Sequence, residues 1–499
     1  MLRFTVRVLL LAASLVATNV HAQNLPPPPA TPLSLEECIA RALRKNFDLQ
    51  LQGYSADIAR ETLNIAKADF DPNITASITR SFSQAASSTN ALDGTVREGP
   101  LSDSTRTVVG VNERLPQTGG TVGVSTNLNR NSSNSTNNLI NPTFGDSISL
   151  NLSQPLLRNA GPTVARANVN TAKLGVSIAS LNYKSRVLTV IRDTENAYYN
   201  LVSARETLRI RQLSLELAQK LYDENSARLG AGVSTNLDVL TAEVGVANAR
   251  RAVIQAEQGV QNSEDALLGL FVPDDFTNRP GLVTFSPYTD PLPTFATSYK
   301  LARDNFPDTL STEEQIKQLE IALRVAKRNS LPQLNLDAGL GYTGKATDQG
   351  YSEVISTLPH DHGNNWSVGL SYSMPWGRNA EKARYRTAAI NLNSQKLRLG
   401  QLEQALLINV RSAVRAVETN YASVEIAAKA TELSAKQYEA QKARFDTGLS
   451  TSRLVLQAQD DLEIARLNEL SAKVALRTSI AELHRLEGTS LQRFNINLP

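Results

Sequence analysis

Leu201, Leu208, Leu215, Tyr222 and Leu229 recur every seven residues, and Leu392, Leu399 and Leu406 do the same farther along the chain. A strict seven-residue apolar period predicts helices that pack along a coiled-coil seam. Both series lie in tracts without proline, 163–272 and 376–498. Proline costs about 3 kcal/mol inside a helix, so its absence permits very long ones, and Ala, Leu, Glu, Gln, Arg and Lys fill both tracts. Each tract breaks once, at Gly230-Ala231-Gly232 and at Thr447-Gly448, and then resumes. The spacing predicts, in each half, a helix of about 67 residues and about 100 Å, a tight turn, and a shorter return helix. The Ser-Thr after each break offers N-cap oxygens to the return helix.

Ahead of the long helices the period changes to two. Leu334, Leu336, Ala338, Leu340 and Tyr342 alternate with polar or glycine positions, as do Trp366, Val368, Leu370, Tyr372 and Met374. In the first half Ile74, Ala76 and Ile78 alternate in this way, and so do Ile148, Leu150 and Leu152. The period predicts strands with one apolar face and one small, polar face. That pattern fits a barrel with lipid outside and water inside, and equally a soluble half-buried sheet. Polar loops at 85–104, 130–146 and 345–364 suit an exterior surface. Val109–Leu115 and Thr121–Leu128, flanking Pro116-Gln117-Thr118-Gly119-Gly120, read as a further hairpin of the first half only.

The two halves repeat one plan. Residues 227–250 and 443–466, aligned without a gap, are identical at ten of 24 positions, including Arg228/Arg444, Gly232/Gly448, Ser234/Ser450 and Thr235/Thr451. Gln154-Pro155-Leu156-Leu157-Arg158-Asn159-Ala160 is echoed by Met374-Pro375-Trp376-Gly377-Arg378-Asn379-Ala380. Ala66-Lys67 with Pro72 is echoed by Ala326-Lys327 with Pro332. So long a period means a duplicated domain rather than a short-repeat solenoid. The expected organisation is a first repeat over 23–272, with helices at 34–71, strands within 73–155 and a long hairpin at 162–272. A Pro-rich linker follows at 273–295. The second repeat spans 296–488, with helices at 296–330, strands within 333–375 and a hairpin at 380–487, before a tail at 489–499.

Residues 1–22 read as an export signal, with Arg3 and Arg7, an apolar run from Val8 to Val16, and Val20-His21-Ala22 before the cleavage point. An uncleaved anchor is the alternative, but the run is too short to span a bilayer. Cys38, the single cysteine, lies in a helical pattern past the cleavage site, so it serves neither a disulfide nor lipid attachment. The net charge of +3 includes the two signal arginines, and gives no electrostatic case for nucleic acid. No later stretch reaches the roughly 18 apolar residues of a membrane helix.

Helices, strand pair, long helix, Gly-x-Ser-Thr turn and return helix, given twice after an export signal, resemble the TolC-like outer-membrane efflux proteins. The resemblance covers nearly the whole mature chain. It implies an α+β membrane protein, a trimeric α/β-barrel with two structural repeats per protomer. Three protomers would share one outer-membrane β-barrel, continued by a long periplasmic coiled-coil α-helical tunnel. It implies the exit duct of a tripartite efflux or type I secretion system, in the outer membrane of a Gram-negative-type envelope. Such a duct is a passive conduit, surrounded by outer-membrane lipid, without cofactor, and gated at its tips by a periplasmic adaptor and an inner-membrane pump. The adaptor-docking residues implied are Arg228, Gly232, Ser234, Thr235, Arg444, Gly448, Ser450 and Thr451. Glycine permits a tight turn and close approach, and small hydroxyl side chains leave a shallow groove; a plain helix–turn–helix cap uses the same residues.

Two departures stand out. Family members often ring the closed tip with paired acids after the second turn, but Arg453-Leu454-Val455-Leu456-Gln457 holds none. Asp238, Asp460 and Asp461 are the nearest candidates, and a solvated helix face accounts for each as well. The additional hairpin gives six strands per protomer instead of the family's four, unless it folds outside the wall. An exported periplasmic coiled-coil adaptor is the alternative reading, although it needs one helical hairpin and soluble β-domains.

No enzyme is expected. Gly339-Leu340-Gly341-Tyr342-Thr343-Gly344 has dinucleotide-fingerprint spacing, but it lies along a strand and leads into a polar loop rather than a helix. His360-Asp361-His362 lacks a third ligand at a spacing that suits a metal, so no metal site is expected. His484 fits a plain helix surface.

Overall fold

The computed structural model describes residues 33–89, 92, 94–134, 139–271, 280–281, 283–285, 291–344 and 346–496. The predicted signal, most of the linker and the end of the tail lie outside the described residues. The chain starts with α1 (Leu35–Lys45) and α2 (Phe47–Ala68). Asn46 separates them, its side chain accepting hydrogen bonds from the backbone of Asp48 and Leu49 as an N-cap. Strand β1 (Asn73–Gln84) follows, then a two-residue pair, β2 (Ser88–Thr89) with β3 (Val96–Arg97). Next come β4 (Leu101–Arg114), β5 (Thr121–Ser133), β6 (Thr143–Pro155), the single turn α3 (Pro162–Ala165), and α4 (Ala167–Gly230) with its return α5 (Asn236–Leu268). The second repeat gives α6 (Phe295–Asn305), α7 (Pro307–Asn329), β7 (Gln333–Gly344), α8 (Tyr351–Thr357) and β8 (His362–Ser373). It closes with α9 (Asn379–Asp446), α10 (Ser452–Glu487) and α11 (Ser490–Arg493). The long helices count 64 and 68 residues, about 95 and 100 Å at 1.5 Å per residue.

Six strands form one antiparallel meander, β1-β4-β5-β6-β7-β8. The additional hairpin, β4 with β5, is therefore part of the wall, between β1 and β6. Cross-strand partners put Ile78, Val111, Val124, Leu150, Leu340 and Trp366 on one face. Toward the exterior loops that face turns polar: Arg80 donates to Asp103 through Nε and Nη2, both at 3.0 Å, and Arg130 lies 3.6 Å from the same carboxylate. The cluster lies at the edge of the apolar band, beside the exposed Phe82; near a membrane interface lipid-facing charges cost little and aromatic residues gather. The strands run longer than the apolar alternation predicted, β1 to Gln84 and β5 to Ser133, because Ser, Thr and Asn occupy both faces beyond the band. The 345–364 loop also folds the short helix α8, whose Val354 is fully buried and whose Tyr351 meets Phe144 edge-on.

The core is divided, as befits a wall rather than a globule. Cys38, Ile39, Leu188, Ile191, Leu201 and Leu267 pack α1, α4 and α5 together. Val410, Val414, Val417, Leu476, Ile480 and Leu483 join α9 to α10. Burial pushes the Cys38 thiol up to about 12, which leaves it inert. Among the described residues no helix is long and apolar enough to cross a membrane.

Glu195 sits on α4 beside the first core, 7% exposed. Burial pushes its carboxyl up to about 7, against the opposing charges of Arg493 and Arg477. A carboxyl raised by folding favours the native state while protonated, so its contribution is complete below its ordinary value of 4.5 and is lost as pH rises to about 7. The difference is about 3 kcal/mol. Glu195→Gln removes that dependence: the variant should melt well above the parent at pH 8 and level with it at pH 4. Parallel melting curves at both pH values would contradict this.

Candidate functional site

The repeated tip segments form the two turns at the far ends of the long helices. Each ends its helix with one hydrogen-bond pattern: Val233 N donates to the Arg228 carbonyl at 2.9 Å, and Gly232 N to Leu229 at 2.9 Å. In the second repeat Leu449 N donates to Arg444 at 2.8 Å, and Gly448 N to Phe445 at 3.0 Å. This is the Schellman motif, which requires a left-handed residue just past the helix. Gly232 and Gly448 supply it, with φ of +67° and +80°. Nothing lies within 4 Å of where a side chain would start at either glycine. The turns are open to solvent, and Val233, Leu237 and Leu449 stand out from them at 74%, 70% and 81% exposure.

The two return helices begin differently. Thr235 accepts from Asp238 N at 3.2 Å while the Asp238 carboxylate accepts from Thr235 N at 3.1 Å and from its hydroxyl at 2.6 Å, a complete capping box. The Ser234 hydroxyl donates to the same carboxylate at 3.4 Å, and these bonds hold it below the usual carboxylate range. Asp238, a candidate for an acidic tip ring, is thus engaged by the cap. The second turn corrects the expectation of matched N-caps. Thr451 makes no side-chain cap bond, and Leu454, standing where Asp238 does, has no carboxylate to return a bond to the Thr451 backbone, while the Ser450 hydroxyl reaches Gln441 at 3.3 Å. Arg444 lends the turn its carbonyl, and the residue is exposed. Asp460 and Asp461 lie about two turns inward on α10. Asp460 borders a groove with Arg211, Gly245, Asn248, Leu456 and Glu463, and partial burial, with Asp461 next to it, pushes its carboxyl up.

The turns are tied together by Arg228, which the repeat singles out, and by residues that carry no signal in the sequence. Phe445 is 4% exposed and packs with Leu221 and Val455. Arg228 stacks its guanidinium 4.1 Å over the Phe445 ring, donates to the Phe445 carbonyl at 3.1 Å and lies 3.9 Å from Asp446. Lys442 pairs with Glu224 at 2.8 Å and Asp446 at 2.5 Å. Deeper in, Arg211 pairs with Glu463, and Gln459 donates to the Leu217 carbonyl at 3.4 Å. A lone phenylalanine in a helical tract gives no sequence signal, yet it joins the two hairpins of the protomer. Among the described residues no three His, Cys, Asp or Glu side chains gather as metal ligands.

A six-stranded wall with one apolar face, set above two helical hairpins about 100 Å long, defines the class: an outer-membrane α/β-barrel with a periplasmic helical section. The family model for outer membrane efflux proteins matches residues 113–271 and 298–489, and the chain belongs to that family, whose members are outer-membrane conduits rather than enzymes. It is 27% identical over 322 residues to the pyoverdine export outer membrane protein OpmQ of Pseudomonas putida, covering 62% of this chain and 66% of that one. It is 21% identical over 324 residues to the outer membrane protein TolC of Escherichia coli, covering 62% and 64%. These matches span just under two-thirds of each relative's length. The Campylobacter jejuni CmeC outer membrane channel superposes with a TM-score of 0.65 at 20% identity, over 91% of this chain and 85% of that one. The outer-membrane channel OprN gives 0.67 at 17%, over 92% and 90%.

Proposed function

We propose that this protein is the passive exit duct of a tripartite export system: three copies share one barrel in the outer membrane and continue it as a helical tunnel across the periplasm. The observation that carries this reading is a protomer with two unsatisfied sides. Strands β1 and β8, twelve residues each, end the sheet and are exposed throughout. Phe47, Leu51, Tyr54, Ile58 and Ile65 form an uncovered stripe along α2, and Ile390 and Leu397 stand exposed on α9. A long bare strand edge invites pairing with another chain, and cyclic closure by like subunits removes both edges. Within the sheet β1 and β8 run in opposite directions, so each antiparallel edge fits the next copy's.

In this reading the open turns at Gly232 and Gly448 receive the helical hairpins of a periplasmic adaptor, through Ser234, Thr235, Ser450 and Thr451 and the apolar Val233 and Leu449. An inner-membrane pump supplies the energy and selects the cargo. Asp460 and Asp461 are the remaining candidates for an acidic lining near the closed tip. Both curated relatives are outer-membrane proteins, and one is named for pyoverdine export, which supports an exporting role without fixing the cargo. The test is the native mass of protein extracted from outer membranes in mild detergent. Three copies per particle are expected. A monomer defeats the duct, since six strands with bare edges do not close a barrel.

A further inference from the structure

We propose that β4 and β5 widen the outer-membrane section to an eighteen-stranded barrel, so that the exit is no narrower than the tunnel below it and suits bulky polar cargo. The proposal rests on the trimeric duct described above. Three observations carry it.

The first is placement. The β4–β5 hairpin is hydrogen-bonded on both sides, β4 to β1 over twelve residue pairs and β5 to β6 over eleven. Its lower turn is also seated on the segment leading into α4: Gly161 N donates to the Thr118 carbonyl at 2.9 Å, Gln154 Nε2 to the same oxygen at 3.3 Å, and Arg166 Nε to the Pro116 carbonyl at 3.1 Å. An appendage outside the wall needs neither set of bonds.

The second is closure. The register line Asn73–Asn112–Gly123–Asn151–Gly339–Ser367 begins at the lower end of β1 and arrives six residues above the lower end of β8. That stagger across one protomer is the tilt a closed barrel requires. Strands about 4.8 Å apart, tilted about 40°, give eighteen strands a perimeter of about 110 Å. The tunnel has four helical lines per protomer, α2, α4, α7 and α9 above and α4, α5, α9 and α10 below. Twelve helices about 9 Å apart also make about 110 Å. Twelve strands at the same tilt make only about 75 Å, a neck above the tunnel.

The third is the inner surface. The face opposite the apolar band carries mostly Ser, Thr, Asn and Gly, with Val108 an apolar exception and Arg106, Arg114 and Asp337 its charged members. Asp337 is held by the hydroxyls of Ser153 at 2.7 Å and Ser371 at 3.1 Å, and Arg106 donates to Asn127 at 2.9 Å. Asn112 and Asn365 fold over Gly123 and Gly341 on the neighbouring strands, filling the space a side chain there would take. The described part of this face is therefore mostly small, polar and hydrogen-bonding, with Arg106 and Arg114 its long side chains.

The experiment is electron cryomicroscopy of the full-length protein in lipid nanodiscs, beside a variant lacking residues 101–133, which rejoins the exterior loops and leaves four strands per copy. Eighteen strands in the parent, and a barrel about 1.5-fold wider than the variant's, are expected. A trimer with twelve wall strands and 101–133 outside overturns this proposal alone, whereas a particle that is not a trimer overturns the duct reading beneath it. If the variant does not fold, the strand count of the parent still decides. With the tip opened by Phe445→Ala, the parent should admit larger oligosaccharides into liposomes than the same protein without 101–133. Equal size limits would show that the added strands do not set the exit.

Discussion

Replacing Gly232 and Gly448 together with tryptophan is expected to reduce export to the level of a strain lacking the protein, with the trimer still assembled. Both glycines adopt left-handed backbone, at φ +67° and +80°, which costs other residues about 1–2 kcal/mol each. That strain is small against a helical section built from several separate cores. Neither position has a non-neighbouring atom within 4 Å of where a Cβ would sit, so the indole starts into open space and is expected to obstruct a partner approaching the turn. Asparagine separates the two effects, because it tolerates the left-handed region without bulk. Gly232→Asn with Gly448→Asn should keep nearly full export and lower the melting temperature by a few degrees at most. Export is read as resistance to a panel of dyes, detergents and metals, and assembly as native mass. Normal resistance in the double tryptophan variant would sink the docking role of the turns.

Much of this architecture was legible because long helices and membrane strands are simple periodic objects. Proline-free tracts and a seven-residue apolar period located α4 and α9 closely, since both signals act on the whole helix. The glycines and the Arg228/Arg444 identity were visible as a repeat, but not why arginine carbonyls matter. Position 228 or 444 receives the backbone bond that closes the turn, a role any residue fills, and Arg228 is additionally fixed by Phe445 while Arg444 is not. The box formed by Thr235 and Asp238 had a readable signature, an N-cap threonine with an acid three residues on. Asp238 stands in the sequence only as a candidate tip acid or a solvated helix position, and the cap role is the one the structure adds. Alternation revealed the strands but not their neighbours, so the place of the added hairpin depended on bonds such as Gly161 to Thr118 that no pattern announces. The seven-residue α8 is too short to show a period.

The second large effect concerns the closure of the tip that the duct reading implies. Phe445→Ala should raise the conductance of the purified protein in planar bilayers by about tenfold or more, while the trimer persists. Truncating a buried phenylalanine costs about 3–5 kcal/mol, and here that loss falls on the contact between α4 and the α9–α10 turn. Phe445 fills the space between Leu221 and Val455, and its ring is the platform for Arg228, an interaction of about 1–2 kcal/mol when partly shielded. The Lys442 pairs with Glu224 and Asp446 remain, but half-exposed ion pairs contribute little and weaken as salt rises. High salt should therefore add to the conductance of the variant more than to that of the parent. Arg228→Ala, which leaves the phenylalanine seated and removes its stacked cation and one hydrogen bond, should fall between the two. A folded Phe445→Ala trimer with parental conductance would place closure between protomers rather than between the two hairpins of one chain.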